Sequence, residues 1–161
     1  MSKIVKCPNC GTSYDITITP ETPEAKSNYL WILDNGHGGI TDGVYQTSGK
    51  RSPVWPDGQV LYEGEFNRSI VNRLVKMCAE AGIECVNLVD TQEDVSLSAR
   101  TSIANDIYRK RADKGGKCIY VSIHANGFNE ESANGWSCYT SIGETKSDKI
   151  ATVLYEKAEA E

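Results

Sequence analysis

The chain has 161 residues, of which 39% are hydrophobic and 24% are charged, and its formal net charge is −5. This length suits one domain of ordinary size with a short appendage. The negative charge argues against nucleic acid as the main partner, and no stretch is apolar for long enough to span a membrane as a helix. We therefore expect neither a nucleic-acid partner nor stable membrane insertion, and the sequence leaves the oligomeric state open.

Residues 1–18 contain a Cys-x-x-Cys knuckle at Cys7 and Cys10. Such a knuckle presents two thiolates to zinc from a tight turn, and the segment resembles the start of a small bacterial zinc-ribbon finger. Because no second Cys-x-x-Cys follows, the two cysteines supply half of a candidate second zinc site; the alternatives are a remnant or an exposed thiol pair. The segment also lacks the apolar region and cleavage site of a secretory signal, so we expect the protein to be cytoplasmic as synthesised.

Residues 19–28 are polar, contain proline and lack periodicity, which is typical of a linker. The main domain is therefore placed at residues 29–161. The four remaining cysteines lie within apolar helix or strand patterns, which favours buried thiols in a reducing compartment over a disulfide framework. They are Cys78, Cys85, Cys118 and Cys138.

The only two histidines of the chain each end an apolar segment. Residues 31–39 carry His37 between glycines, and residues 118–126 carry His124 before a small residue. Both segments are typical of short buried strands, and the carboxyl ends of parallel strands share one edge of a sheet. With a carboxylate as third ligand, the two imidazoles fit the open zinc site of hydrolases. The alternative is a hydrogen-bonded structural histidine at each strand end.

Residues 40–62 form a long irregular segment rich in Gly, Pro and Asp. Loops of this length inside compact domains are usually functional or disordered. We predict that its aromatic side chains form a wall against a sugar or peptide, with Lys50 and Arg51 meeting a carboxylate. A mobile surface loop with one or two docked aromatics is the alternative. The aromatic residues are Tyr45, Trp55 and Tyr62.

Helices and strands alternate in the rest of the chain. Helical spacing of apolar residues runs from Glu65 to Gly82, with Glu63 also at its entrance, where acidic residues either complement the helix dipole or supply a ligand. The alternation predicts an α/β fold with a largely parallel sheet flanked by helices. The further predicted elements are a strand at 84–89, a helix at 97–112 capped by Ser96 or Ser98, a strand at 118–124, a strand at 135–141 and a helix at 145–161.

Several motifs, in order from residue 29 to the end, resemble those of the zinc-dependent N-acetylmuramoyl-L-alanine amidases of the amidase-3 type. The resemblance implies a phosphorylase/hydrolase-like α/β fold. It also implies hydrolysis of the amide between N-acetylmuramic acid and L-alanine in bacterial peptidoglycan. The matching pieces are residues 33–39, Glu63 ahead of Asn67 and Ile70, Leu97-x-x-Arg100 with Ala104-Asn105, and residues 122–126.

The same resemblance implies that His37, Glu63 and His124 bind zinc, with water in the open position. Glu63 is preferred to Glu65 because the family's ligand stands four residues ahead of an Asn and seven ahead of an apolar residue. Arg100 and Asn105 are expected to tie helix to sheet. The candidate substrate-binding residues are Asn126, Trp55 and Arg51.

The resemblance further implies a glutamate general base on a strand that follows the helix at 145–161. We therefore expect this base, its strand and a final helix beyond residue 161. No catalytic side chain is therefore assigned, and the activity of this exact chain is left open. We predict a lytic cell-wall amidase, of the endolysin type used in phage lysis or exported by another route, which acts on the wall after release. The alternatives are a catalytically impaired peptidoglycan- or muropeptide-binding protein and, less favoured, a zinc-ribbon interaction module.

Overall fold

The computed structural model describes residues 2–6, 13–17, 27–127, 132 and 134–159. The knuckle at Cys7 and Cys10 and most of the predicted linker lie outside these residues. The chain forms two compact units, Met1–Ala125 and Asn126–Glu161. In the part described, no helix is both long and apolar enough to cross a membrane.

Strands and helices alternate through most of the chain, as predicted. The strands are β1 (Ser2–Lys6), β2 (Ser13–Thr17), β3 (Tyr29–Asn35), β4 (Ile40–Thr41), β5 (Val44–Tyr45), β6 (Cys85–Asn87) and β7 (Lys117–Ile123). The helices are α1 (Glu63–Glu80), α2 (Leu97–Ala112) and α3 (Lys146–Glu159). Strands β1 and β2 pair as an antiparallel hairpin, as do β4 and β5.

The main sheet has the strand order β6-β3-β7, and both pairings are parallel. The central strand β3 is covered on both faces, which is why its apolar run is nearly continuous rather than alternating. Ile32 and Leu33 are almost fully buried, and Ala104 and Ile107 of α2 pack against the cluster that contains Ile32. The predicted α/β class with a largely parallel sheet is confirmed.

Helix α1 buries polar residues at its amino-terminal end. Phe66 and Met77 are exposed, whereas Glu63, Asn67 and Val71 are buried. Residues four apart lie on one helix face, so Glu63, Asn67 and Val71 form one buried stripe, which is polar at its first two positions. The helical spacing located the helix but did not indicate that polar residues are buried near its start.

The predicted strand at 135–141 is wrong, because the structure has no strand there. An alternating pattern produces a strand only where a neighbour supplies backbone hydrogen bonds, and none of the described strands pairs with this segment. Cys138, which lies within it, is exposed rather than buried, whereas Cys78, Cys85 and Cys118 are partly buried.

A buried ion pair joins β3 to α2. Arg100 Nη1 lies 2.5 Å from Asp34 Oδ1, and both side chains are almost fully buried. The other carboxylate oxygen of Asp34 accepts hydrogen bonds from the hydroxyls of Tyr120 and Ser122, each at 2.8 Å. Burial, together with the hydrogen bond to Asp34, raises the pKa of Tyr120 to about 12. The carboxylate is therefore fully compensated, and the network ties β3 to its neighbours on two sides.

Replacement of Asp34 by Asn should lower the free energy of unfolding by about 3–5 kcal/mol, because it leaves the buried Arg100 without its counter-charge. The matched control is Asp106→Asn, which removes an exposed pair with Arg109 and should change stability by less than about 1 kcal/mol. Urea unfolding followed by circular dichroism measures both. Similar losses in the two variants would contradict the importance given to the buried pair.

Candidate metal centre

His37 lies just past the end of β3 and has an unusual backbone conformation. Its φ of 68° is in the left-handed region, which costs a residue with a side chain about 1–2 kcal/mol. The turn around it is pinned by hydrogen bonds from Gly36 N to Ile123 O (3.1 Å) and from Gly38 N to Thr47 Oγ1 (2.7 Å). These bonds direct the chain sharply away from the sheet at the histidine.

His124 directly follows the neighbouring strand β7. Because Asn35 pairs with Ile123 in parallel register, the two histidines emerge at the same edge of the sheet. Their ring centroids are 4.9 Å apart, and the rings are nearly perpendicular. The structure therefore brings the two imidazoles together, as the sequence predicts.

Glu63, the first residue of α1, is positioned by the preceding loop. Its backbone N–H donates to Lys50 O (3.0 Å). The hydroxyl of Tyr45 also donates to Lys50 O (2.9 Å) and accepts from Gly64 N (2.9 Å). Tyr45 thus joins the loop to the first turn of the helix, and the Tyr45 and Tyr62 rings pack 4.7 Å apart.

The three side chains converge on a single point. Glu63 Oε1 lies 3.3 Å from His37 Nε2 and 3.1 Å from His124 Nδ1, and one donor atom from each residue lies within 4.8 Å of the others. Zinc bonds of about 2.0–2.1 Å place neighbouring tetrahedral ligands about 3.3 Å apart. Two edges of the triangle thus match that spacing, and the donor set fits a metal ion.

The environment of His37 favours the form of its imidazole that binds a metal. Burial lowers the pKa of His37; the neighbouring Glu63 raises it, His124 and Lys50 lower it, and the net shift is downward. A neutral imidazole is the form that binds a metal. The exposed fraction of the side chain is 19% for His37 and 12% for Glu63 but 40% for His124, so the centre is open toward solvent on the His124 side.

Glu65 has a different role from Glu63, although the two residues lie in the same helical turn. Glu65 Oε1 accepts a hydrogen bond from Ile40 N (2.9 Å) and so fixes the start of the loop. Within the described part of the chain, His37, Glu63 and His124 form a group able to hold a metal. Their assignment as zinc ligands stays a prediction.

The candidate substrate-binding residues come from two parts of the chain, Arg51 and Trp55 from the loop before α1 and Asn126 from the segment after β7. Arg51 is exposed and donates through Nη1 to Ser52 O (2.9 Å). Trp55 is 44% exposed in a turn closed by Gly58 N donating to its carbonyl. Asn126 belongs to the second unit, where its Nδ2 donates to Ser137 Oγ (3.4 Å). Their contact with substrate also stays a prediction.

No local sequence signal indicates the contacts that fasten the loop to the centre. Thr47 Oγ1 accepts from Gly38 N and donates to Asp94 Oδ2 (2.8 Å), which links the histidine turn to the segment before α2. Tyr45 fastens the loop in the same way, and the predicted aromatic wall stays a prediction. These partners are far apart in the chain and belong to no local motif.

The parallel sheet flanked by helices carries two imidazoles and a carboxylate at the carboxyl ends of its strands. The chain is therefore an α/β protein with a candidate metal centre. Residues 32–161, most of the chain, match the family Amidase_3, described as N-acetylmuramoyl-L-alanine amidase. The chain therefore belongs to this family, and the predicted membership is confirmed.

A solved structure supports the fold. The chain is similar to the catalytic domain of CwlV, an N-acetylmuramoyl-L-alanine amidase from Bacillus (Paenibacillus) polymyxa var. colistinus, with a TM-score of 0.55 and 21% sequence identity. The match covers 82% of this chain and 64% of that one, so the chain spans a little under two thirds of the length of the solved domain. Among curated proteins, no significant match is found.

Gly36 offers a test of the packing beneath the centre. A Cβ at this position would overlap the imidazole of His124, whereas a Cβ at Gly127 would meet nothing within 4 Å. Gly36→Ala should therefore displace the ring and weaken zinc binding at least about tenfold, as the loss of supporting contacts at metal sites does. Gly127→Ala, the matched control, should bind as the wild type does. Competition with a chromophoric chelator measures both affinities, and equal affinity in the two variants would contradict the packing argument.

Proposed function

We propose that this chain is a zinc-dependent hydrolase that cleaves the amide between N-acetylmuramic acid and L-alanine in bacterial peptidoglycan. The observation that carries the proposal is the convergence of His37, Glu63 and His124 at spacings suited to one metal ion. Family membership supplies the reaction, because the family is described as N-acetylmuramoyl-L-alanine amidase.

The choice of zinc follows from the reaction and the donor set. Two imidazoles and one carboxylate suit zinc in hydrolases and also Fe(II) in oxygenases. Amide hydrolysis transfers no electrons, so a metal without redox chemistry fits it better. The chemistry that zinc supplies in such a site is Lewis acidity toward an amide carbonyl and toward water.

The chain's own residues orient the centre and leave one side of it open. Glu63 Oε1 accepts a hydrogen bond from Ala125 N (3.2 Å), which fixes the carboxylate against the end of β7. The partial burial of His37 and Glu63 restricts water on one side, while the exposed ring of His124 leaves room for a polymer on the other. The glutamate general base that the family resemblance implies stays a prediction.

We include in the proposal a lytic role of the endolysin type. Peptidoglycan lies outside the bacterial membrane, so an enzyme of this reaction made in the cytoplasm must be released before it acts. Intact cell walls, rather than soluble fragments alone, are then the expected substrate.

The metal centre is tested by removing its donors one at a time. His37→Ala and His124→Ala should abolish zinc binding, and Glu63→Gln should weaken it by more than about 100-fold, beyond the usual effect of supporting residues. Glu65→Gln is the matched control and should retain zinc, because that carboxylate instead accepts a bond from Ile40 N. Metal analysis and chelator competition report the outcome. Full zinc occupancy in His124→Ala, or a greater loss in Glu65→Gln than in Glu63→Gln, would overturn the assignment.

The reaction is tested with purified cell walls and zinc-loaded protein. New amino-terminal alanine should appear and the wall suspension should clear, while the number of sugar reducing ends stays constant because no glycosidic bond is cut. A chelator should stop the release, and added zinc should restore it. If the protein binds zinc and cell wall but releases no alanine, the muropeptide-binding alternative replaces the enzyme.

The zinc-ribbon alternative is tested separately with Cys7→Ser. Zinc retained in this variant argues against the zinc-ribbon module as the main site.

A further inference from the structure

Two buried arginines donate to the same backbone carbonyl. Arg68 Nη1 lies 2.9 Å from His37 O, and Arg100 Nη2 lies 3.1 Å from the same oxygen. Arg68 is 6% exposed and Arg100 is 3% exposed. The residue that they share is the histidine with the left-handed backbone at the candidate metal centre.

This arrangement is costly, so it calls for a reason beyond satisfying one carbonyl. Taking a charged group out of water is unfavourable unless its partners compensate fully, and one neutral donor would suffice for the oxygen. Burial lowers the pKa of Arg68, the nearby Glu65 raises it, and the second guanidinium, that of Arg100, lowers it again. The two cations are therefore close enough to oppose each other, yet both are held at His37.

The guanidinium of Arg100 is locked from the α2 side. Its Nη1 bonds Asp34 Oδ1 (2.5 Å) and Asn35 O (2.8 Å), and its Nε donates to Val95 O (2.7 Å). A planar, rigid fork with every arm engaged has little freedom to rotate. Its position relative to β3 is therefore fixed.

Arg68 is locked from the α1 side in the same manner. Its Nε and Nη2 both donate to Thr91 O (3.1 and 2.7 Å), and its Nη1 also reaches Gly64 O (3.2 Å). The two helices thus reach the His37 carbonyl through separate rigid side chains. Because the φ of 68° is unfavourable for histidine, these charge-assisted bonds oppose relaxation of the peptide.

We propose that Arg68 and Arg100 are positioning residues that hold the His37 peptide in its left-handed conformation and thereby set the affinity of the His37–Glu63–His124 centre for its metal ion. The orientation of a peptide fixes the direction of its Cα–Cβ bond, and so where the imidazole points. The inference rests on the proposed metal centre. It goes beyond that centre, because it gives two residues that are not proposed ligands a role in setting the affinity for the metal ion.

The test uses Arg68→Lys and Arg100→Lys, which keep the charge but replace the planar five-donor fork with a compact ammonium that lacks its fixed geometry and its spread of donors. Arg111→Lys, on the same helix as Arg100 and paired with Glu84 near the surface, is the matched control. Two readouts apply: zinc affinity by chelator competition, and the visible absorption spectrum of the cobalt(II)-substituted protein, which reports the geometry of the ligands. Both are recorded where circular dichroism shows every variant folded.

Each of the two variants should bind zinc about 10–100-fold more weakly and show an altered cobalt spectrum, while the control matches the wild type in both. Wild-type affinity and spectrum in folded Arg68→Lys and Arg100→Lys would overturn the inference, even if both were less stable. If Arg100→Lys does not fold, Arg68→Lys decides the matter, because it leaves the Asp34–Arg100 pair intact. A wild-type chain that binds no zinc would instead overturn the metal centre itself, and this inference with it.

Discussion

The parallel register between β3 and β7 is the constraint on which the candidate centre depends. Asn35 lies opposite Ile123. His37 follows two residues after Asn35 and His124 one residue after Ile123, so both histidines lie at the same edge of the sheet. A slip of one residue would shift a strand by about 3.3 Å and turn its side chains to the other face. The imidazoles would then no longer meet. The covered, apolar centre of β3 is what makes such a slip costly.

The carboxylate reaches this edge by a different route. Glu63 depends on the loop before α1, which is anchored through Tyr45 and Lys50 to the first helical turn. The first turn of α1 and the histidine turn also approach each other closely, since a Cβ on Gly64 would overlap the carbonyl of Gly38. The loop therefore acts as a structural support for the centre, and two carboxylates in one turn separate into a candidate ligand and a loop anchor because only one faces the histidines.

Polar groups, more than apolar ones, shape the region beneath the centre. Three consecutive carbonyls are held by buried side chains: Asn35 O by Arg100, Gly36 O by Asn67 Nδ2 (3.0 Å), and His37 O by both Arg100 and Arg68. Such networks contribute less to stability than an apolar core of the same volume, but they specify one geometry when their members are satisfied. A lower stability in return for one fixed geometry suits a metal site, because its donor atoms must lie a few ångströms apart.

The sequence by itself determined the α/β class, the helix at α2, the strands that carry the histidines and the family, because burial periodicity and short motifs are local signals. It was wrong about residues 135–141, where alternation was present but none of the described strands is a partner. Only the tertiary structure decided the φ of His37 and the meeting of two arginines at its carbonyl. Those partners stand 31 and 63 residues from the histidine, and no local pattern encodes which distant donor a folded chain brings to a given acceptor.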